Sequence, residues 1–217
     1  MIALVDYKAG NLTSVKKALA TIGASVVVPE TPVDVAAADG VIVPGVGHFG
    51  ATRALDPSWI DAILACVGDG RPLLGICLGM QWLFEASDEA PEVPGLGLLS
   101  GRCYRLGARF QTGTAADVRG VRLQPDHAVK IPHVGWNSLS IERGGASILD
   151  GVASGSQVYF THSYVAPVTG DTAAVTEHGE RFASVVQRGR VAGVQFHPEK
   201  SGDVGLRILK NFVDQAG

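Results

Sequence analysis

The first half of the chain alternates short apolar runs with segments of helical periodicity, and this alternation restricts the fold more than any other feature. Helical spacing of apolar residues covers 12–22, and a second helical pattern covers 59–67. The apolar runs are residues 2–6, 25–28, 41–43 and 72–76. Short buried strands separated by helices form βαβ units around a parallel sheet. The pattern therefore predicts an α/β fold with an open, mostly parallel sheet and flanking helices.

The second half has a different pattern, which predicts partly antiparallel strands joined by turns and a final helix at 203–214. Residues 107–130 are rich in Gly, Thr, Ala, Asp and Pro, and we expect a long surface excursion there. No repeat or linker divides the chain, so one domain over residues 1–217 is expected. The strands predicted in this half are 95–106, 121–123, 158–162, 172–176, 182–187 and 191–196.

Composition and charge exclude several classes of protein. Lys and Arg number 18 against 21 Asp and Glu, a net charge of −3 without basic clusters, so nucleic acid is not an expected partner. No apolar run approaches the ~20 residues of a membrane span, and residues 1–6 are interpreted as a strand rather than a signal peptide. A compact protein without a membrane segment is predicted.

The chain has an odd number of cysteines, Cys66, Cys77 and Cys103, and no C-x-x-C pair. A disulfide framework and a structural metal site are therefore not expected, and a reducing cytoplasm is the predicted location. Cys66 and Cys103 are predicted to be core residues. Cys77 has a different context.

Residues 75–79, Gly-Ile-Cys-Leu-Gly, have the form of a nucleophile elbow, in which a sharp strand-to-helix turn carries the reactive residue. The flanking glycines allow neighbouring backbone to approach closely, while the turn strains the nucleophile. The following helix start would lower a thiol pKa and would offer the Leu78 N–H to a developing oxyanion. The alternative is that Cys77 is a small buried hydrophobe, as most free cysteines are.

A cysteine nucleophile needs a base and a group that orients the base. Of the six histidines, His197 follows a predicted strand and precedes Pro198 and Glu199. The strand end would deliver its imidazole to the same sheet edge as Cys77, and the turn at the proline would fold Glu199 back onto the ring. The alternative is a surface histidine in a turn.

Residues 44–48, Pro-Gly-Val-Gly-His, follow the third predicted strand directly. Paired glycines there can aim backbone N–H groups into the crevice at the carboxyl ends of the strands, where open α/β sheets bind ligands. The alternative is a phosphate-binding turn. The two common nucleotide-binding patterns, G-x-x-x-x-G-K-[ST] and G-x-G-x-x-G, are absent from the sequence, which makes nucleotide binding a weaker interpretation.

These residues resemble the triad, or class I, glutamine amidotransferases, and the resemblance covers nearly the whole chain. Residues 75–81, Gly-Ile-Cys-Leu-Gly-Met-Gln, and 197–199, His-Pro-Glu, match the wider family. Met80 stands where anthranilate and carbamoyl-phosphate relatives usually carry histidine. The segments that resemble one branch, the glutaminase subunits of imidazole glycerol phosphate synthase, are 10–14, 132–137, 159–164 and 195–202.

The resemblance implies a flavodoxin-like fold and a role for each matching residue. Cys77 would be the nucleophile, His197 the general base and acid, and Glu199 the orienting carboxylate. By charge pattern alone Glu89 would be a solvated helix end, whereas the family has an acid there for the substrate ammonium. The implied oxyanion donors are Val46, Gly47 and Leu78. The implied glutamine-binding residues are Gln81, Glu89, His162, Ser163 and Tyr164.

The resemblance also implies a partner, because the chain is too short to hold an acceptor enzyme as well. That partner would be a (β/α)₈-barrel cyclase that uses ammonia to make imidazole glycerol phosphate and an aminoimidazole carboxamide ribotide in histidine biosynthesis. No cofactor and no metal are implied. Alternatives are a subunit serving pyridoxal phosphate or guanylate synthesis, and a catalytically silent scaffolding subunit. The positions implied at the cyclase interface are Asn11, Ser14, Trp136, Tyr159 and Lys200.

Overall fold

The computed structural model describes residues 1–107 and 130–217. The helices are α1 (Leu12–Thr21), α2 (Pro32–Val35), α3 (Pro57–Gly68), α4 (Leu78–Trp82) and α5 (Gly202–Asp214). Short 3₁₀ helices cover Phe49–Ala54, Ser147–Leu149 and Pro198–Lys200. The strands are β1 (Ile2–Leu4), β2 (Val26–Val27), β3 (Gly40–Gly45), β4 (Leu73–Cys77), β5 (Ala86–Ser87), β6 (Arg102–Arg105), β7 (His133–Ser138), β8 (Ser140–Ile141), β9 (Gln157–His162), β10 (Tyr164–Val165), β11 (Thr172–His178), β12 (Glu180–Arg188) and β13 (Val191–Val194).

The main sheet has eight strands in the order β2-β1-β3-β4-β13-β12-β11-β8. Strands β1 to β4 pair in parallel, and β13 joins them in parallel beside β4. Strands β12, β11 and β8 then continue the sheet in antiparallel pairs. The predicted combination of a parallel first half and a partly antiparallel second half is confirmed. Two smaller sheets flank it, one of β10-β6-β5 and one of β7-β9.

Both faces of the main sheet are covered by apolar helix faces, as an α/β architecture requires. On one face Val15 and Leu19 of α1 belong to the same buried cluster as Ile208 and Phe212 of α5. On the other face α2 and α3 complete a second cluster. Helix α3 begins at Pro57, two residues before the predicted pattern, because Asp56 accepts hydrogen bonds from the Ser58 and Trp59 N–H groups.

The predicted strand at 95–106 is wrong over most of its length, since only β6 is extended. Gly97 and Gly101 have φ angles of 69° and 114°, which break an extended run. Strand β7 was not predicted, because its apolar residues, Val134 and Trp136, are exposed, while its more buried positions hold polar or small residues. The predicted strand 121–123 and residues 108–129 of the predicted excursion lie outside the described residues.

The two cysteines expected in the core are there. Cys66 is 1% exposed and Cys103 is 0% exposed, and burial raises the pKa of both thiols. All three cysteines are free. In the part of the chain that the structure describes, no helix has both the length and the apolar character to cross a membrane.

Candidate active site

Cys77 ends β4, and α4 begins at the next residue, so strand passes into helix without a loop. Its backbone angles are φ 53° and ψ −104°, a conformation that residues with a side chain rarely adopt. Such strain persists only where surrounding packing enforces it, and it is common at functional sites. The turn therefore has the conformation expected of a nucleophile elbow.

The glycines on either side of Cys77 are required by close backbone contacts. A Cβ atom on Gly75 would lie 2.5 Å from the carbonyl oxygen of Gly79. A Cβ atom on Gly79 would lie 1.8 Å from the carbonyl oxygen of Val43 in the neighbouring strand β3. The predicted reason for the G-x-C-x-G spacing is confirmed, because no larger residue fits at either position.

His197 comes to the same sheet edge as Cys77 because β13 and β4 are parallel neighbours, with Val194 opposite Ile76. Its Nδ1 donates to Oε1 of Glu199 at 2.9 Å. The His197 and Glu199 side chains are 2% and 1% exposed, so water does not compete for this contact. The turn at Pro198 folds the carboxylate onto the ring as the sequence predicts.

The pKa of His197 is raised to about 9. Burial by itself would lower it, but interactions with Cys77 and Glu199 favour the protonated ring and outweigh the burial. The second ring nitrogen, Nε2, has no well-aligned hydrogen-bond partner among the described residues. Cys77 is nevertheless near enough to favour the charged imidazole, so the pair is placed for proton transfer between sulfur and ring.

The His197 turn is held by hydrogen bonds to strand β9. The His197 N–H donates to the Tyr159 carbonyl at 2.9 Å. Ser201 bridges the same two residues, because its hydroxyl donates to the His197 carbonyl at 2.6 Å and accepts from the Tyr159 N–H at 3.0 Å. These hydrogen bonds fix the turn that carries the imidazole against β9.

A pocket of about 250 Å³ opens above Cys77. It brings together every predicted oxyanion and glutamine-binding residue, while Pro132 and Thr161 also line it and were not predicted. Both lie in segments that carry the family resemblance, which was the signal available for them. The predicted residues in the wall are Val46, Gly47, Cys77, Leu78, Gln81, Glu89, His162, Ser163 and Tyr164.

Glu89 supplies a negative charge to this pocket. Its Oε2 accepts a hydrogen bond from the Phe49 N–H at 2.7 Å, which fixes the carboxylate in the wall. The alternative of a solvated helix end does not describe this partly buried group. A carboxylate held in this way suits a cationic group of a ligand.

The predicted oxyanion donors differ in whether their N–H groups are available to donate to a ligand oxygen. Leu78 is the first residue of α4, and the N–H groups of a first helical turn lie outside the intrahelical pattern. The Val46 N–H, in contrast, donates to the Ala9 carbonyl at 2.5 Å. In this conformation of the loop, Val46 therefore offers no N–H to an oxyanion.

His162 is buried in the pocket wall with both ring nitrogens occupied. Nδ1 contacts the Tyr164 carbonyl oxygen at 3.1 Å, and Nε2 contacts Nδ1 of His133 at 3.0 Å. Burial lowers the pKa of His162 to about 3, and the neighbouring His133 adds to the shift. His162 is neutral at pH 7, and neither nitrogen is free to act as the base for Cys77.

The residues predicted at a partner interface form two groups. Trp136 is 57% exposed and packs edge-to-face on Tyr159, with ring centroids 6.0 Å apart. The Lys200 Nζ lies 5.7 Å from the Tyr159 ring centroid. Asn11 and Ser14 are partly buried at the start of α1, a helix that packs against the Pro198–Lys200 turn. Both groups therefore border the His197 turn.

The fold and the site belong together in one protein family. The chain belongs to the class I glutamine amidotransferases, whose family model matches residues 3–216. Its curated relatives place it among the imidazole glycerol phosphate synthase subunits named HisH. The protein of that name from Gloeobacter violaceus is 47% identical over 99% of this chain and 89% of its own length. The one from Bacillus cereus is 42% identical over 98% of this chain and 93% of its own length.

Solved structures support the fold at lower identity. A crystal structure of a glutamine amidotransferase superposes with a TM-score of 0.69 at 22% identity, covering 100% of both chains. A structure of PurLQS from Thermotoga maritima gives 0.68 at 18% identity, covering 98% of this chain and 97% of that one. The predicted family, fold class and enzyme class are confirmed: this is a glutamine amidotransferase of histidine biosynthesis. Because these relatives are HisH subunits, they do not support the alternatives of a subunit for pyridoxal phosphate or guanylate synthesis.

Proposed function

We propose that this chain hydrolyses glutamine with Cys77 as nucleophile and passes the ammonia to a cyclase subunit. The observation that carries the proposal is the meeting of a strained cysteine, which lines the pocket, with a buried His197–Glu199 pair behind it. These groups are a nucleophile, a base and an orienting carboxylate, the set that thiol acyl transfer requires. A silent scaffolding subunit would need none of the three.

The reaction follows from the positions of these groups. His197 takes the thiol proton, and the Cys77 sulfur attacks the γ-amide carbon of glutamine. The resulting oxyanion is stabilised by the Leu78 N–H and by the Val46–Gly47 backbone once that loop has turned, with ~3–4 kcal/mol for a well-placed donor. His197 then protonates the departing nitrogen, ammonia leaves, and water hydrolyses the γ-glutamyl thioester to glutamate and free thiol. These steps need neither metal nor organic cofactor.

The walls of the pocket suit the polar ends of free glutamine. The Glu89 carboxylate pairs with the substrate ammonium, and Ser163 and Tyr164 border the remainder of the molecule. Gln81 and His162 act less directly, because their nitrogens already bond within the protein. They shape the pocket by holding the Tyr164 carbonyl in place.

The ammonia must reach its acceptor without entering bulk water, where it would be protonated. We therefore propose a (β/α)₈-barrel cyclase as the docked partner, which makes imidazole glycerol phosphate and an aminoimidazole carboxamide ribotide. The proposed contact surface carries the exposed Trp136 ring and Lys200 beside Tyr159, with Asn11 and Ser14 at its edge. One domain over residues 1–217, acting in the cytoplasm with no nucleic acid or membrane partner, completes the proposal.

The decisive experiment is Cys77→Ala in the complex with the cyclase. Glutamate release should fall below detection, while cyclisation supplied with ammonium salts continues because that chemistry belongs to the partner. Cys66→Ala is the matched control, since it removes a buried free thiol that contacts the Val35 carbonyl and does not line the pocket. Glutamine turnover within tenfold of the wild type in Cys77→Ala would refute the proposal.

A further inference from the structure

Gln195 is a fully buried polar residue to which the reaction above gives no part. It lies between β13 and His197 and is 0% exposed. Its Nε2 lies 3.6 Å from the Sγ of Cys77, with the amide positioned to donate to the sulfur. Hydrogen bonds to sulfur are longer than those to oxygen, so this contact is a donor directed at the nucleophile.

The orientation of the Gln195 amide is determined by its other contact. The Nε2 of Gln81 donates to the Oε1 of Gln195 at 3.1 Å, so the nitrogen of Gln195 is the end that faces Cys77. The remaining Gln81 hydrogen is donated to the Tyr164 carbonyl at 2.9 Å. A flipped Gln195 amide would place two nitrogen donors against each other.

Gln81 is itself braced by a chain of hydrogen bonds that reaches strand β7. The Tyr164 carbonyl also accepts from Nδ1 of His162, so Nε2 of that ring accepts from Nδ1 of His133 at 3.0 Å. The free nitrogen of His133 in turn faces the Asn137 amide at 3.3 Å. Each member has its partner, and such fully satisfied buried networks hold side chains in one arrangement.

We propose that Gln195 is a positioning residue for the reaction, donating its Nε2–H to the Cys77 sulfur and holding the thiolate toward the pocket. The inference rests on the proposed nucleophilic role of Cys77. His197 interacts with the sulfur, but its Nε2 makes no well-aligned hydrogen bond among the described residues. The Gln195 amide, in contrast, is a donor whose direction toward the sulfur is fixed by Gln81. A hydrogen bond to the charged sulfur also favours thiolate over thiol.

Few ionisable groups face Cys77, which makes its titration informative. His197 approaches from the turn after β13 and Tyr7 from the loop after β1, where burial raises the pKa of the phenol. The Tyr7 hydroxyl has no hydrogen-bond partner among the described residues, so it does not compete with Gln195 for the sulfur. Glu89 and His162 lie in the wall of the same pocket.

The test compares Gln195→Leu and Gln195→Glu with the wild type, in the full chain bound to the cyclase. The readouts are the pH profile of Cys77 alkylation by iodoacetamide, followed by mass spectrometry, and kcat and KM for glutamine. For Gln195→Leu we expect the alkylation midpoint to rise by about one pH unit, a tenfold change equivalent to about 1.4 kcal/mol. We expect kcat to fall roughly tenfold, while KM stays within about twofold.

Gln195→Glu separates positioning from space filling. The carboxyl group still accepts from Gln81, but once ionised it places a negative charge against the sulfur. Alkylation at pH 8 should therefore fall below that of Gln195→Leu, although the glutamate fits the same space. If the leucine variant does not fold, the glutamate variant is compared with the wild type, and its alkylation at pH 8 should fall well below the wild-type level.

Gln187→Leu is the matched control, because Gln187 is a buried amide on β12 that bonds to Ser147 and Ile148. It should lower thermal stability and leave the alkylation profile unchanged. Wild-type profiles and kcat in both Gln195 variants would overturn the inference, as would a change confined to KM. Cys77→Ala runs in parallel: retained hydrolysis there would refute the proposed function, whereas an inactive Cys77→Ala beside normal Gln195 variants refutes only the positioning role.

Discussion

The two backbone segments that border the pocket on neighbouring strands differ in how they are held. The elbow after β4 is buried, and Gly75 and Gly79 are packed against other backbone on both sides of Cys77. The loop after β3 is partly open to solvent, with Val46 37% exposed and its N–H bonded to Ala9. Gly47 has a φ of 94° and nothing within 4 Å of the place where a Cβ would lie.

This difference separates the placement of the proposed nucleophile and base from the placement of the second proposed oxyanion donor. The proposed nucleophile and base are brought together when the parallel strands pack, because Cys77 ends β4 and His197 follows its neighbour β13. The proposed second oxyanion donor depends on one peptide orientation in a loop with few restraints. A partner can therefore regulate this chain by acting on the loop, provided it binds one loop state better than the other.

The largest effect should come from the preformed side of the pocket. His197→Ala removes the group that moves the proton, so we expect glutamate release to fall about a thousandfold or more. Glu199→Gln should cost less, roughly ten- to a hundredfold, because the turn and Ser201 still hold the ring. Glutamate release by the purified complex measures both losses. Small and equal losses would mean that another residue is the base.

The next effect concerns the loop itself. The isolated chain should hydrolyse glutamine about a hundredfold more slowly than its complex with a cyclase carrying bound nucleotide, since a missing oxyanion donor costs about 3 kcal/mol. The test is glutamate release by the chain alone, with the cyclase, and with cyclase plus nucleotide. Equal rates in all three would show that the Val46 contact to Ala9 does not limit the reaction.

Acid should destabilise the wall that holds the pocket. Burial lowers the pKa of His133 to about 4 and that of His162 to about 3, against 6.5 in an unfolded chain. Below pH 6.5 the unfolded state binds more protons than the folded state. Folding stability therefore decreases as the pH is lowered, by about 2 kcal/mol per histidine from pH 7 to pH 5. The raised pKa of His197 acts elsewhere, because its contribution is complete below 6.5 and is lost as the pH rises through about 9.

Urea unfolding at pH 7 and pH 5 measures this loss. His133→Gln should reduce it, since it removes one titrating ring while leaving an amide to face His162. His48→Gln is the control, because that histidine is exposed at the surface. An unchanged pH dependence in His133→Gln would show that the buried His133–His162 pair does not govern acid stability.

The smallest effect should come from the proposed interface. Asn11→Ala and Lys200→Ala should lower the activation by liganded cyclase a few-fold, about 1 kcal/mol, with KM for glutamine little changed. Both residues border elements next to the proposed triad, and Lys200 follows Glu199 directly. The ratio of activated to basal turnover is the measurement. Arg53→Ala is a surface control, since Arg53 pairs with Glu92 and both side chains are exposed. A larger change in KM for glutamine than in that ratio would contradict the assignment.

Local demands on the backbone could be predicted from sequence alone. Three features each predict the conformation of a few neighbouring residues. They are the βαβ alternation, the glycines around Cys77, and the proline between His197 and Glu199. The structure agrees at the elbow, where Cys77 has a φ of 53°, and at the turn, where the carboxylate reaches the ring. Strand β7 escaped prediction because its pairing with β9, not its own composition, makes it extended.

Tertiary structure decided which groups meet and which way they point. The Val46 N–H faces Ala9 because two distant loops pack together, and residue types alone do not choose between the two orientations of a peptide. Gln195 reaches Cys77 across a separation of 118 residues, through an amide whose direction depends on Gln81. Periodicity and turn chemistry act over a few residues, whereas hydrogen bonds between buried side chains depend on the completed packing of the sheet, which is why only the folded chain determines them.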